Sequence, residues 1–399
     1  MAFTTSSRVL VLLILQFLLI TSSNGNSTSQ HCFHAPALLF VNLGCTQFQN
    51  DLAFLIGKES QSILVDSQAI RSKVQAHSPF HPWSFAPTCT EVLHGINNKL
   101  CVYTNTSFSN GRGISIFTTP QIATEFANLP PFQDPIVLND INKPNGPWYT
   151  RKLPDKGVGM LAKKSIKPKE PITAFTPVLL VYMENALSTL ERERFLRMAI
   201  EQLPPKTRDA YLTLATIYGH KETIIQDVLK ANTFELQLSG ERHMAIIPEP
   251  ARMNHDCGPN AQYYLNPLTL IHTVHATRPI APDEEITIAY SNPMEPHAIR
   301  QDNLLNTFHF HCSCSRCTNG VASDANLAEI IRIQTVLSDW SPESKARPRD
   351  AETLLKLYRT EGLEAFMDTA YGYVSLTYNA VGDAETAKLV LSSFSFYPS

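Results

Sequence analysis

The chain has 399 residues, 43% of them hydrophobic and 17% charged, with a formal net charge of −3 and a pI near 6.5. That is enough for two or three domains with an ordinary core, and too little positive charge for broad electrostatic binding of nucleic acid. A small acid excess suits a partner that is itself basic, and 27 prolines against 16 glycines point to many extended, irregular connections.

At the start, Arg8 precedes a largely apolar run from Val9 to Ile20. The run is too short to span a bilayer, which takes about 20 residues, and small residues follow it, so residues 1–25 read as a secretory signal cut after Gly25. Removing it takes one arginine and no acid, 32 − 36 = −4. The expectation is a secreted, monomeric protein that leaves the membrane once the signal is removed. Cys32, Cys45, Cys89 and Cys101 fall early and suggest disulfides in an exported chain. Cys32–Cys45 with Cys89–Cys101 is the simplest of three possible pairings.

Residues 26–147 mix short apolar runs with proline-rich loops. Gly111-Arg112-Gly113 leads into Ile114-Ser115-Ile116-Phe117 as a turn feeding a strand, and 128–147, with its prolines, reads as a linker. From Trp148, Gly157-Val158-Gly159-Met160-Leu161-Ala162 is a tight turn into a strand, and 171–182 reads as a further strand pair. Residues 184–232 are helical, with Leu187, Leu190, Phe195, Met198 and Ile200 near the 3.6-residue period. Short strands resume at 244–247, 261–264, 270–276 and 285–290. From Asp324 the pattern is helical, and 365–378 with 384–391, joined by Gly382-Asp383, form a helix hairpin of the kind used in helical repeats.

Two late stretches carry the chemistry. Between Pro250 and Pro259 lies Arg252-Met253-Asn254-His255-Asp256-Cys257-Gly258, a constrained loop that places amide, imidazole and thiol groups. Further on comes Cys312-Ser313-Cys314-Ser315-Arg316-Cys317. Tetrahedral zinc takes four ligands, and Cys257 is the one other cysteine of the second half. The four would bind Zn2+ as a soft, charged set. Free buried thiols or two disulfides are the bland alternative, and His309 or His311 could replace one thiol.

In order, Gly157-x-Gly159-x-x-Ala162 with Ile166, Glu170 and Ile172, then Asn254-His255-x-Cys257-x-Pro259-Asn260, then Glu284-Glu285-Ile286-x-Ile288-x-Tyr290, then Cys312-x-Cys314-x-x-Cys317, resemble the SET-domain lysine methyltransferases. The resemblance covers about residues 148–318. With Arg300, Leu304 and Phe308 leading into the cysteines, it is most similar to the SET-and-MYND branch and its fungal relatives, without the MYND finger. It implies an α+β fold: small curved sheets with a pseudoknot, a helical insert, a zinc-binding loop after the domain, and a helical region from 319 to 399. It further implies methyl transfer from S-adenosyl-L-methionine to a lysine of a protein or peptide, a histone among the options. Gly157, Gly159 and Met160 would present backbone to the cofactor. Asn254 and His255 would hold its amino-acid and adenosine parts, Phe310 would stack on the adenine, and Tyr290 would be the catalytic tyrosine.

Some positions depart from that pattern. Phe308 stands where relatives carry a second active-site tyrosine, Asp256 replaces a serine and Asp283 a glycine, while Gly111-x-Gly113 imitates the first motif without its continuation. Export also sits uneasily with a cofactor made inside cells. The alternatives are action inside a recipient cell, a secretory compartment supplied with cofactor, or an exported binding module on the same scaffold whose catalysis has lapsed.

Overall fold

The computed structural model describes residues 80–339, 341 and 343–394. The signal segment, Cys32 and Cys45 lie outside the described residues. Strands β1 (Thr88–Cys89), β2 (Cys101–Asn105) and β3 (Ile114–Thr118) run antiparallel in sequence order. Cys89 faces Cys101 across β1 and β2, and the two are joined in a disulfide. Every residue of β2 and β3 is buried. Both strands are covered on two faces, so their polar Thr104 and Ser115 are buried as well and meet each other at 2.7 Å between hydroxyl oxygens.

Helix α1 (Pro120–Ala127) follows, and the linker expected at 128–147 is not there. Pro130–Gln133 and Pro135–Leu138 are short helical turns with proline in their first turns, where its missing N–H costs nothing. Asp134 caps the second, accepting from Ile136 N at 2.9 Å. Phe132 packs on Phe108 and Trp83, and Leu138 is buried. The prolines punctuate a packed segment.

Strands β4 (Trp148–Leu153) and β5 (Gly157–Ala162) form a hairpin. The next two, β6 (Pro171–Phe175) and β7 (Leu179–Tyr182), are strands as expected but do not pair with each other. The Asn142 side chain holds the turn between them, accepting from Thr176 N at 2.8 Å. β7 runs parallel to β3, so the main sheet draws strands from both sides of residue 148. The insert supplies α2 (Thr189–Glu201), α3 (Pro205–Leu212) and α4 (Ile224–Asn232), followed by β8 (Phe234–Leu238) and β9 (Glu241–Ile246). The six-stranded sheet has the order β1-β2-β3-β7-β9-β8. Phe117, Leu179 and Val181 pack one of its faces on Phe195, Leu196 and Val228 of the insert. Ile114, Ile116 and Leu180 pack the other into the main core. Burying each such side chain stabilises the fold by about 1.5–3 kcal/mol.

The remaining strands are β10 (Asn254–His255), β11 (Ala261–Leu265), β12 (His272–Ala276) and β13 (Thr287–Ile288). β11, β12 and β6 make a small antiparallel sheet, while β10 and β13 pair in parallel. These small sheets, with the helices around them, are the SET-type architecture the motifs implied. Helix α5 (His297–Phe308) leads to the cysteine run. Then come α6 (Gly320–Leu337), α7 (Pro348–Thr360), α8 (Asp368–Ala380) and α9 (Ala384–Phe394), with Ile330, Ile333, Leu354, Tyr358 and Val374 in one core. α8 and α9 are the expected hairpin. Among the described residues no helix is long and apolar enough to cross a membrane.

Candidate active site and cysteine centre

The three loop motifs meet because short strands lie side by side. Ile286 N donates to Met160 O at 2.8 Å, joining the Glu284-Glu285-Ile286 stretch to β5. β13 then pairs Thr287 with Asn254 and Ile288 with His255. Asn260, 1% exposed, ties the crossing: its Nδ2 donates to Glu285 O at 2.8 Å and its Oδ1 accepts from Thr287 N at 2.9 Å. Asp283, in the glycine position of the turn, has φ +63, a left-handed conformation aspartate tolerates better than most residues. Its carboxylate accepts from Tyr149 Oη at 2.7 Å.

On one side of this crossing are the glycines. Gly157 is exposed at φ +73 with nothing within 4 Å of where a Cβ would stand. A Cβ on Gly159 would lie 2.4 Å from Leu153 Cδ1 and 3.1 Å from both Asn254 Nδ2 and Glu285 Oε1. A side chain at 159 would push the Leu153 tip aside and crowd both polar atoms. The Asn254 amide donates to Glu285 Oε1 at 2.7 Å, and Lys156 Nζ meets the other oxygen at 3.0 Å. Met160 is fully buried and offers backbone alone. The Gly157 backbone is open, Asn254 is polar and half-buried, and the half-buried ring of Phe310 lies 6.2 Å from the ring of His255; these group types suit a nucleoside carrying an amino-acid tail.

His255 is committed on both ring nitrogens. Its Nδ1 accepts from Tyr290 N at 2.8 Å, so the proton is on Nε2, which lies 3.2 Å from Cys257 Sγ. Burial pushes its pKa down to about 3, keeping the ring neutral. What His255 can offer a ligand is its backbone and ring face; the imidazole links Tyr290 to the cysteine centre.

On the other side a cavity of about 40 Å³ is lined by Tyr290, Phe308, Met253, Tyr263, Phe234 and the end of α4 at Ala231 and Asn232. The Tyr290 and Phe308 ring centroids are 4.9 Å apart. Tyr290 Oη donates to Met253 O at 2.6 Å, and burial, then Glu285, raises its pKa well above normal. It is a neutral phenol with its proton committed and lone pairs left over. Tyr263, Phe234 and the α4 residues were missed from the sequence. Tyr263 stacks on His272 at 5.1 Å and packs edge-on to Phe234, an alternation that looks like any half-buried strand.

The cysteine sulfurs of Cys257, Cys312, Cys314 and Cys317 all lie within 4.8 Å of one another, so the four could hold one metal ion. Cys257 and Cys317 Sγ are 3.6 Å apart, against the roughly 3.8 Å edge of a tetrahedral zinc–thiolate site. None of the four is in a disulfide. His309 and His311 are exposed and outside the group; His309 caps α5 in the left-handed region and meets Tyr218 Oη at 3.1 Å. A second observation supports an anionic centre. Arg300 is 0% exposed and pairs with no carboxylate. Its Nη1 donates to Glu295 O, while Nε and Nη2 have no such partner. Burial would lower its pKa, yet Cys257 and then Cys317 hold it above the usual value. A buried guanidinium needs a counter-charge, which deprotonated sulfurs of this cluster would supply.

Residues 157–291 match the SET domain family. The chain is 33% identical over 195 residues to "Histone-lysine N-methyltransferase set5" of Schizosaccharomyces pombe, covering 47% of this chain and 55% of that protein. It is 33% identical over 133 residues to "SET domain-containing protein SmydA-8, isoform A" of Drosophila melanogaster, covering 29% of each. With "N-lysine methyltransferase SMYD2" of Homo sapiens it shares 32% over 92 residues, 23% of this chain and 21% of that one. The chain thus spans about half the length of the yeast relative and less of the other two. Motif order, strand crossing and these likenesses agree: residues 157–291 of this chain match a SET domain, and the chain is similar over that part to proteins named as lysine methyltransferases.

Proposed function

We propose that the chain is an S-adenosylmethionine-dependent lysine N-methyltransferase acting on a basic protein or peptide, with Tyr290 as the catalytic residue and zinc in the cysteine centre. The observation that carries this is the junction of two unlike sites on one strand crossing. Gly159 of β5 lies against Asn254, and the cavity of about 40 Å³ at Tyr290 is lined by Met253 and Ile288 of the same crossing. When bound, S-adenosylmethionine would supply a sulfonium methyl whose carbon a neutral amine attacks in line, the N–C bond forming as the C–S bond breaks and the thioether leaves.

The residues of this chain prepare that amine. A lysine ammonium with a reference pKa near 10.4 loses its proton at pH 7 at a cost of about 4–5 kcal/mol. The apolar walls of Phe234, Met253, Phe308 and Tyr263 lower this by disfavouring the charged form. The Tyr290 proton is committed to Met253 O, so its lone pairs are left to accept from the amine N–H and leave the nitrogen lone pair free to face the methyl carbon. Positioning of this kind accounts for much of the acceleration. Phe308 adds no second hydroxyl. The mild acidity of the chain, −3 overall, suits a basic tail.

The test is transfer of a labelled methyl group to histone and peptide panels. Tyr290→Phe is expected to lose about 100-fold in rate, in the range for a positioned proton-handling group, with the fold intact by circular dichroism. Equal labelling by both proteins would remove Tyr290 from the catalytic role. No labelling and no binding of S-adenosylhomocysteine by the wild type would leave a binding module.

A further inference from the structure

Arg316 sits inside the cysteine turn, between Cys314 and Cys317, yet it is 4% exposed. Its Nη1 donates to Cys257 O and to Pro293 O, each at 2.8 Å, and its Nε donates to Glu361 Oε2 at 2.8 Å. Nη2 alone is left without a partner. Glu361 follows the end of α7 and is 6% exposed. Its oxygens also accept from Ser323 Oγ at 2.5 Å and Asn326 Nδ2 at 2.6 Å, both on α6. Beside this pair the backbones touch. A Cβ on Gly258 would stand 2.9 Å from Glu361 O and 3.1 Å from Gly362 O, and Gly362 itself is left-handed at φ +65. Two glycines allow the α7 end to seat against the loop that carries Asn254 and Cys257.

From this geometry we infer that Arg316 is a positioning residue through which the C-terminal helices hold two separate loops, 254–260 and 312–317, at a fixed separation. The helices are therefore part of the site's scaffold. One guanidinium, planar and with several donors, reaches a carboxylate and two carbonyls at once, which a lysine cannot do. The pair is buried, so removing the carboxylate leaves an uncompensated charge at the joint and favours local opening there over unfolding elsewhere. The inference stands on contacts within the chain and does not depend on methyl transfer.

The test is amide hydrogen exchange on the full chain. In Glu361→Gln, peptides covering 252–262 and 310–320 should exchange at least about tenfold faster than in the wild type, while those covering β2 and β3 stay unchanged. Metal released to a chelator should speed up in parallel. Arg332→Gln, which breaks the exposed Arg332–Glu329 pair on α6, should change neither. If Glu361→Gln does not fold, the Ser323→Ala, Asn326→Ala double variant keeps the ion pair and should give a smaller rise in the same two loops. Wild-type exchange in both loops, or an equal rise across every peptide, would overturn the role.

Discussion

The two sides of residues 254–260 are built on opposite terms. On the Tyr290 side the wall is mostly aromatic and aliphatic, with the Tyr290 phenol fixed by the Met253 carbonyl. On the Cys257 side four sulfurs, two buried arginines and a buried glutamate crowd into one volume. The aromatic side tolerates change, because a removed hydroxyl leaves a well-packed ring behind. The polar side does not, because each charge there is counted on by another buried far from water. On the proposed reading this is a division of labour: one side sets chemistry, and the other sets where the chemistry stands.

The comparison breaks most visibly at Cys257→Ser. This should cost about one metal ion per chain by metal analysis and leave Arg300 short of its counter-charge. Structural zinc sites contribute on the order of 10 kcal/mol, so the loop should open to exchange and fold only in part. Unchanged metal content would refute the four-sulfur set. The Glu361 variants are the next largest expected effect. Tyr290→Phe should do the reverse of Cys257→Ser, losing rate and keeping the fold.

Phe308→Tyr sharpens the aromatic side. A hydroxyl added beside Tyr290 would take space from a cavity of about 40 Å³ and offer the amine a second partner. Intact-mass analysis of product should then shift toward fewer methyl groups per lysine, with stability changed by less than about 1 kcal/mol. An unaltered product distribution would mean that the 308 position does not limit room for the amine.

The smallest effect concerns the C-terminal helices. Burial raises Asp368 from 3.8 to about 6. Its folded form therefore favours the proton, and the stability it contributes is full below pH 3.8 and lost as pH rises through about 6. The shift corresponds to at most about 3 kcal/mol, and its place in the first turn of α8 offsets part of that. Asp368→Asn should raise urea stability by about 1 kcal/mol at pH 7 and leave it unchanged near pH 3.5. A gain of equal size at both pH values would point to packing instead of charge.

Local patterns made much of this legible. Motif order pointed to the domain, the lone Cys257 to the late triplet, and Gly382-Asp383 to the α8–α9 turn. They misled where proline meant two things. In 128–147 the prolines start helical turns under Trp83, and the cue that separates these from a linker, the packing of half-buried Phe132 and buried Leu138, comes from residues distant in the chain. Tyr263 and Phe234 were hidden for a similar reason, since alternation along a strand says which residues share a face but not what that face lines.

What the amino-acid order alone determined is the set of reactive groups and the sequence in which they arrive: glycines, then amide and imidazole, then phenol, then thiols. These follow from side-chain chemistry and short spacing. What only the tertiary structure decided is their partnership. The His255 ring bridges Tyr290 to Cys257, Arg300 faces sulfur, and Arg316 fastens two loops to the end of α7. Each depends on a buried polar group finding its counterpart tens of residues away, and no local periodicity carries that information.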